Sequence, residues 1–404
     1  MSPPRQFFLD WLRIGAFALL VLYHVGMYYV PWDWHVKSRE TVGALEPLMR
    51  LSSPWRMSLL FLLSGAATLW MLRSRPTGLL RERASKLLLP LLTGMALVVP
   101  PQPYFEVVQK VGYGGSYLDF LALYFTAYGG FCRGSDCLLL PTWNHLWFLP
   151  YLFVYTVLLV LLYRWSSPRT RAALARRFRA LPAWQLWLLP VLVLAAIRLA
   201  LLSRFGTTHA LVDDWFNHAT YLVVFLLGAG FAANPGLFAR IEPLRWAALG
   251  VALLCWAGIT LYFEALRDVP SVPEGLRALQ RVGHATLQWS AIVAIAGFAH
   301  RHLNHDHRWR APLTEAVFPV YLVHQTVIIV TAMALARVAV PVLVEAPLLV
   351  LLTFAASLLF WRLARHTGPL RPWLGLPRHA PTGRAQAPIH ASPSERPATP
   401  MPPT

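Results

Sequence analysis

Polar residues in this chain gather in short clusters between continuous apolar runs. A helix needs roughly 20 mainly apolar residues to cross about 30 Å of hydrocarbon. Runs that suit this lie at 7–30, 55–72, 87–103, 145–163, 184–202, 218–233, 246–264, 284–300, 312–336 and 347–361. Segment 117–128 is too short and mixed to span, and reads as an interfacial helix. A membrane β-barrel alternates apolar and polar positions. These runs do not, so the spans are helical. Asp10 and Arg13 interrupt the first run, and no small-residue cleavage site follows Tyr29. It therefore reads as a retained helix and not as a signal peptide.

Composition supports this. Of 404 residues, 56% are apolar and 13% charged, with mean hydropathy +0.48. A soluble chain carries about twice that charged fraction. Disorder throughout, collagen and a disulfide-stapled secreted fold are excluded by the long apolar runs and the three cysteines. The expected fold is an all-α integral membrane bundle of about ten helices, 1–365, followed by a Pro/Ala/Arg-rich segment, 366–404. No repeat of fixed period is evident. Residues 383–404 are expected to be a disordered cytoplasmic tail, because they bury too little surface to offset their ordering entropy.

The net charge of +18 follows from 36 Lys+Arg against 18 Asp+Glu. The cations concentrate in alternate connections, for example Arg164, Arg169, Arg171, Arg176, Arg177 and Arg179. Asp33, Asp213, Asp214 and Glu274 fall in the others. By the positive-inside rule both termini face the cytoplasm. The charge then reports topology and contact with the anionic lipid bilayer, and no nucleic acid partner is expected.

Ionisable residues inside spans are costly and mark candidate function. Arg13 and His24 lie eleven residues apart on the first helix. At about 100° per residue they return to within about 20° of one face, with a rise of roughly 16 Å. Asp10, one turn before Arg13, is placed to pair with it. Snorkelling of Arg13 and an interhelical contact for His24 give the same spacing. Arg81, Arg83 and Lys86 gather within two turns before the third span, a pattern that suits phosphate groups and also an ordinary positive-inside loop. Ser64-Gly65 in the second span permits close helix approach. Trp143 and Trp147 fit an interfacial aromatic anchor, whereas Asn144 and His145 between them are candidates for orienting a polar substrate. His324, with Gln325, reads as a satisfied contact between helices. Cys132 and Cys137 flank a short outer-side segment and are candidates for a disulfide in an oxidising compartment. The sequence contains no Gly-rich phosphate loop, zinc pair of histidines or nucleophile elbow, and no metal is expected.

Together these residues resemble the acyltransferase-3 family of integral-membrane O-acyltransferases, over about 8–361. The likeness is most specific in Leu9-Asp10-Trp11-Leu12-Arg13, Leu22-Tyr23-His24-Val25-Gly26-Met27 and Pro31-Trp32-Asp33-Trp34-His35. Arg13 and His24 match the family's first-helix signature of a basic residue, ten others and a histidine. Phe61-Leu62-Leu63-Ser64-Gly65, Trp143–Phe148 and Val320–Gln325 are also similar. Where the family has paired arginines before the third helix, this chain has Arg83 and Lys86, which removes one bidentate fork. The resemblance implies transfer of an acetyl or succinyl group from cytoplasmic acyl-CoA to a hydroxyl of an extracytoplasmic carbohydrate such as a glucan. It implies a bacterial inner-membrane location and no permanently bound cofactor. His24 and Arg13 would be catalytic. Arg81, Arg83, Lys86 and Ser64 would bind acyl-CoA, and Asn144, His145 and Trp147 the acceptor. The alternative is a proton-coupled secondary transporter or glycolipid flippase, against which stands the absence of paired halves with matching broken helices.

Overall fold

A computed structural model describes residues 6–75, 77–234, 236–338 and 340–378. It is a multi-pass helical membrane bundle. In chain order the helices are α1 (Phe8–Tyr29), α2 (Glu46–Ser52), α3 (Arg56–Ser74), α4 (Leu79–Thr93), α5 (Pro101–Lys110), α6 (Tyr117–Phe125), α7 (Phe148–Trp165) and α8 (Pro168–Ala180). They continue as α9 (Ala183–Phe205), α10 (Trp215–Ala233), α11 (Gly236–Ile241), α12 (Arg245–Ala265), α13 (Glu274–His302), α14 (Arg310–Leu335) and α15 (Val342–Ala364). A two-stranded antiparallel ribbon, β1 (Cys132–Arg133) with β2 (Asp136–Cys137), is closed by the Cys132–Cys137 disulfide. Among the described residues nine helices are long and apolar enough to cross a membrane, or ten if the bent pair formed by 79–98 and α5 is one span.

That pair corrects the uninterrupted span expected at 87–103. A π-helical turn at Gly94–Val98 follows α4, and α5 then departs at 44°. Pro100, Pro101 and Pro103 remove backbone donors, so regular i to i−4 bonding cannot run through them. Segment 117–128 forms the short α6, whose N-terminus has a Ser116–Asp119 capping box. Helices α2, α8 and α11 lie in the connections between spans. Residues 366–378 pack on the bundle. Gly368–Leu374 is a 3₁₀ turn, buried Arg371 pairs with Glu315 at 3.3 Å and donates to the Arg365 and Pro377 carbonyls, and Leu376 packs near Val21 and Trp361. The expected disordered stretch, 383–404, lies outside the described residues.

α1 packs against α3, α13, α14 and α15. Its Phe8, Leu12 and Leu20 enter one large core with the run 59–63 and with Tyr321 and Leu322. The outer helices α12 and α15 instead expose Leu254, Leu261, Leu343, Leu351 and Leu363, an apolar periphery suited to lipid. α3 and α10 meet backbone to backbone. A Cβ on Gly65 would strike the Phe225 carbonyl, and one on Gly228 would strike the Leu62 carbonyl. This is the close approach that Ser64-Gly65 suggested, made reciprocal by a glycine on the facing helix.

Gly65→Ala should therefore separate α3 from α10 and cost about 1–3 kcal/mol, as overpacking of a filled interface does. Gly15→Ala, on α1, meets nothing within 4 Å and is the matched control. Thermal unfolding in detergent checks the pair; equal midpoints would show that the α3–α10 contact does not limit stability.

Candidate active site

The crossing of α1 and α14 joins two residues 300 positions apart: His24 Nδ1 lies 2.8 Å from His324 Nε2. The protons on this pair follow from the next bond. His324 Nδ1 lies 2.7 Å from the Tyr321 carbonyl, which can only accept. A neutral His324 therefore carries its proton on Nδ1 and a lone pair on Nε2. His24 must then donate from Nδ1, and its own Nε2 holds the free lone pair. That nitrogen has no hydrogen bond among the described residues, and His24 lines a cavity. Trp34, from the loop after α1, lies nearly parallel to the His24 ring at 6.3 Å. His324 is fully buried. It is a positioning residue that sets the tautomer and tilt of His24. The expected interhelical contact is present, and its partner is His24 itself.

A second polar network fixes α14 to the bend between α4 and α5, and its hub is Gln102, which is fully buried. Its Nε2 donates to Thr326 Oγ1 at 2.7 Å and to His145 Nδ1 at 3.3 Å. Its Oε1 accepts from Asn144 Nδ2 at 3.0 Å and Gln325 Nε2 at 2.9 Å. Asn144 Oδ1 accepts from Thr142, and His145 Nε2 donates to the Leu322 carbonyl. Asn144 and His145 are thus consumed by internal bonds. Asn144 is not among the residues lining the cavity, and its bonds to Gln102 and Thr142 make it a bracket between the α4–α5 bend and the start of α7. His145 reaches the cavity wall with both ring nitrogens already partnered.

The cavity has a volume of about 370 Å³ and opens among the ends of α1, α3, α9, α10 and α13. Its wall includes His24, Tyr23, Arg56, Trp147, Arg198 and Tyr221. Trp147 therefore stands where an acceptor-binding aromatic was expected, and the His209 ring packs on it at 4.1 Å. His209 belongs to the loop joining α9 and α10, which Asp214 holds in place. Asp214 accepts from Tyr151 Oη, from Asn217 Nδ2, and from the backbone N–H groups of Thr208 and His209. Burial alone would raise the Asp214 carboxyl, but these donors, Tyr151 and Asn217 foremost, hold it below the usual carboxylate range. Burial pushes the His209 imidazole down, so it is neutral near pH 7.

Arg13 lies three turns away along α1. It pairs with Asp10 at 3.5 Å, as expected, while Asp10 makes a closer bond, 2.7 Å, with buried Arg310. Arg83 Nη2 donates to Thr68 Oγ1 at 2.9 Å, and Thr68 donates in turn to the Ser64 carbonyl at 2.7 Å. Ser64 joins this cluster through its backbone. Arg83 Nε is buried and has no partner among the described residues. Arg81 and Lys86 are exposed, and Lys86 pairs with Glu82 at 2.7 Å. Of the three expected cations, only Arg83 reaches another helix. Arg13 and His24 thus mark two levels of the bundle. α3 repeats them antiparallel, with Thr68 beside Arg83 at one and Arg56 over the Tyr23 ring, at 3.7 Å, at the other.

A family model described as "Acyltransferase domain", of the acyltransferase-3 type, matches residues 6–362. The chain belongs to that family. Its relatives include Glucans biosynthesis protein C of Salmonella paratyphi A (strain ATCC 9150 / SARB42) and of Salmonella agona (strain SL483). Each is 26% identical over 264 residues, which are 62% of this chain and 64% of the relative. The same-named protein of Salmonella paratyphi B (strain ATCC BAA-1250 / SPB7) is 26% identical over 260 residues. The alignment thus spans somewhat less than two thirds of those relatives. No solved structure matches the chain.

Arg56, Arg198, His324 and Gln102 are the residues of the candidate site that sequence reasoning missed or undervalued. Arg56 had one local signal: an arginine at the start of a span, on the side expected to be poor in cations.

His324→Ala should lower kcat by about 10²-fold, the low end of a general base's contribution, with little change in KM. His324→Gln should recover part of it, because an amide can donate to Tyr321 and accept from His24. A matching rise in KM would show that His324 contacts substrate. For the Asp214 lock the sign is that of a depressed carboxylate. Its stabilisation is present above the ordinary carboxylate pKa and lost as pH falls through the lower folded value. Hydrogen exchange in 207–214, corrected for intrinsic rate, should stay flat from about pH 5 to 8. An increase within that interval would place the lock elsewhere.

Proposed function

We propose that the protein transfers an acetyl or succinyl group from cytoplasmic acyl-CoA to a carbohydrate hydroxyl on the other side of the bacterial inner membrane. The observation that carries this reading is the bare Nε2 of His24 on the cavity wall, with its tautomer set by His324 and Tyr321. The acceptor hydroxyl enters the cavity and gives its proton to His24 Nε2. The hydroxyl oxygen attacks the thioester carbonyl, the carbon–sulfur bond breaks, and the CoA sulfur leaves with the proton from the His24 imidazolium. The product is an ester and free CoA thiol. Trp147 offers an apolar face for a sugar ring beside this nitrogen.

Arg13 and Arg83 supply the donor end. Guanidinium forks match the oxygens of CoA phosphates, and the buried Arg83 Nε has no partner among the described residues. The rise of roughly 16 Å from Arg13 to His24 is of the order of an extended pantetheine arm. Acyl-CoA is then a substrate held across α1, with phosphates at one level and thioester at the other. The named relatives concern glucan biosynthesis, which makes a glucan the first acceptor to test.

His24→Ala should abolish acyl transfer, a loss of about 10²–10⁴-fold or more, with normal membrane insertion. Arg13→Ala and Arg83→Ala should raise KM for acyl-CoA more than for the acceptor. Thiol release by purified protein measures both, and near-normal turnover by His24→Ala would end its assignment as base. Orientation is checked by cysteine labelling after replacing Cys132, Cys137 and Cys255. With a membrane-impermeant maleimide on intact cells, Val212→Cys should react and Arg169→Cys should resist; both positions are exposed in the fold. The reverse pattern would put Arg83 outside, away from any CoA pool, and the transmembrane mechanism would fall.

A further inference from the structure

Two arginines in the cavity are unexplained by the transfer step. Arg56 is 4% exposed, its guanidinium lies over the Tyr23 ring and also meets the neutral Tyr23 hydroxyl, and a long bond, 3.4 Å, runs to Ser52 Oγ. Its Nε is buried with no partner among the described residues. Arg198 enters from α9, lies 5.5 Å from the Phe216 ring, and also has a buried Nε with no partner. Neither makes an ion pair among the described residues, and among them no Asp or Glu lines the cavity. The nearby Asp214 has its oxygens taken by Tyr151, Asn217 and the backbone of the α9–α10 loop. An uncompensated buried charge costs several kcal/mol. Two arginines with unpartnered Nε–H groups, lining the cavity that His24 also lines, mark a place left for an anion.

We infer that Arg56 and Arg198 form a carboxylate-binding subsite, which selects a substrate carrying a free carboxylate or equivalent oxyanion beside the reacting atoms. Aromatic faces offset part of the cost of the empty site, while the unpartnered Nε–H donors and the planar forks supply directed hydrogen bonds to a planar carboxylate. The carrier of that anion is either the acyl group, as in a dicarboxylic half-thioester, or an acidic substituent on the acceptor. The subsite rests on the transfer reading only for this choice of carrier.

Binding is therefore read first without turnover. In thermal unfolding of the full chain in detergent, succinate should raise the midpoint and succinamide, equal in shape but neutral, should not. Arg56→Gln and Arg198→Gln should each weaken the succinate effect by about tenfold or more, and Arg56→Lys by less. If Arg56→Gln fails to fold, Arg198→Gln and Arg56→Lys carry the measurement. Equal shifts by the two probes, or unchanged succinate affinity in the variants that fold, overturns the subsite. Turnover then assigns the carrier. A preference for succinyl-CoA over acetyl-CoA that Arg198→Gln removes assigns the anion to the acyl group. A preference for an acidic over a neutral oligosaccharide that the same variant removes assigns it to the acceptor. A chain that binds succinate through these arginines yet releases thiol from no acyl-CoA refutes the transfer reading and leaves the subsite standing. Turnover without preference for charge in donor or acceptor does the opposite.

Discussion

A histidine inside a hydrocarbon-embedded bundle must have each ring nitrogen either bonded or open to a polar space, because an orphaned polar group there costs several kcal/mol. His24 does one of each. Its Nδ1 is spent on His324, and its Nε2 faces the cavity. This requirement reaches outward through the bundle. His324 can serve His24 only while α14 keeps its register, and α14 is held by Thr326 and Gln325 on Gln102 and by the Tyr321 hydroxyl on the His145 carbonyl. Gln102 in turn reaches that position only because prolines break the third span. The bend is therefore a device that brings an amide with two donors and two acceptor sites to one buried point.

The cavity depends on a second constraint, the distance between backbones. Gly65 and Gly228 let α3 and α10 touch along their carbonyls, which leaves Arg56 and Tyr221 at the widening end of the same pair. The Asp214 lock closes that end by folding the α9–α10 loop against Trp143 and Trp147. Residues that look like anchors or loop filler in one dimension thus form the walls of the reaction space. The division of labour along α1 follows: cations at the Arg13 level, proton transfer at the His24 level, and tightly packed apolar side chains such as Leu20 in between.

Much of this was legible in the chain alone. Apolar run length placed most of the spans, with the bent third one and the early start of α13 as exceptions, since the cost of crossing lipid is set by composition and helix rise. The shared face of Arg13 and His24 is a property of one helix, and so is the use of Ser64-Gly65 for close approach. The resemblance to the acyltransferase-3 family rested on such local patterns, and the family match over 6–362 agrees with it. The prolines at 100, 101 and 103 were visible too, yet whether they end a span or bend it depends on what receives the freed carbonyls, and here that is Thr326 on α14.

Tertiary packing alone decided who partners whom. His324 and Gln325 carry the same sequence signal whether they seal a helix contact or orient a base; the choice was made by α1 crossing α14 with 300 residues between. Asn144 and His145 looked free because their neighbours in sequence do not satisfy them, whereas Gln102 and Leu322 do so in space. Arg56 looked like the edge of a span and Arg198 like a stray cation within one, and only the packing of α10 against both α3 and α9 puts both on the lining of one cavity. Helical period and apolar run length act over a few turns of one segment. The energy of a buried polar group depends on atoms from distant segments, and no local pattern records it.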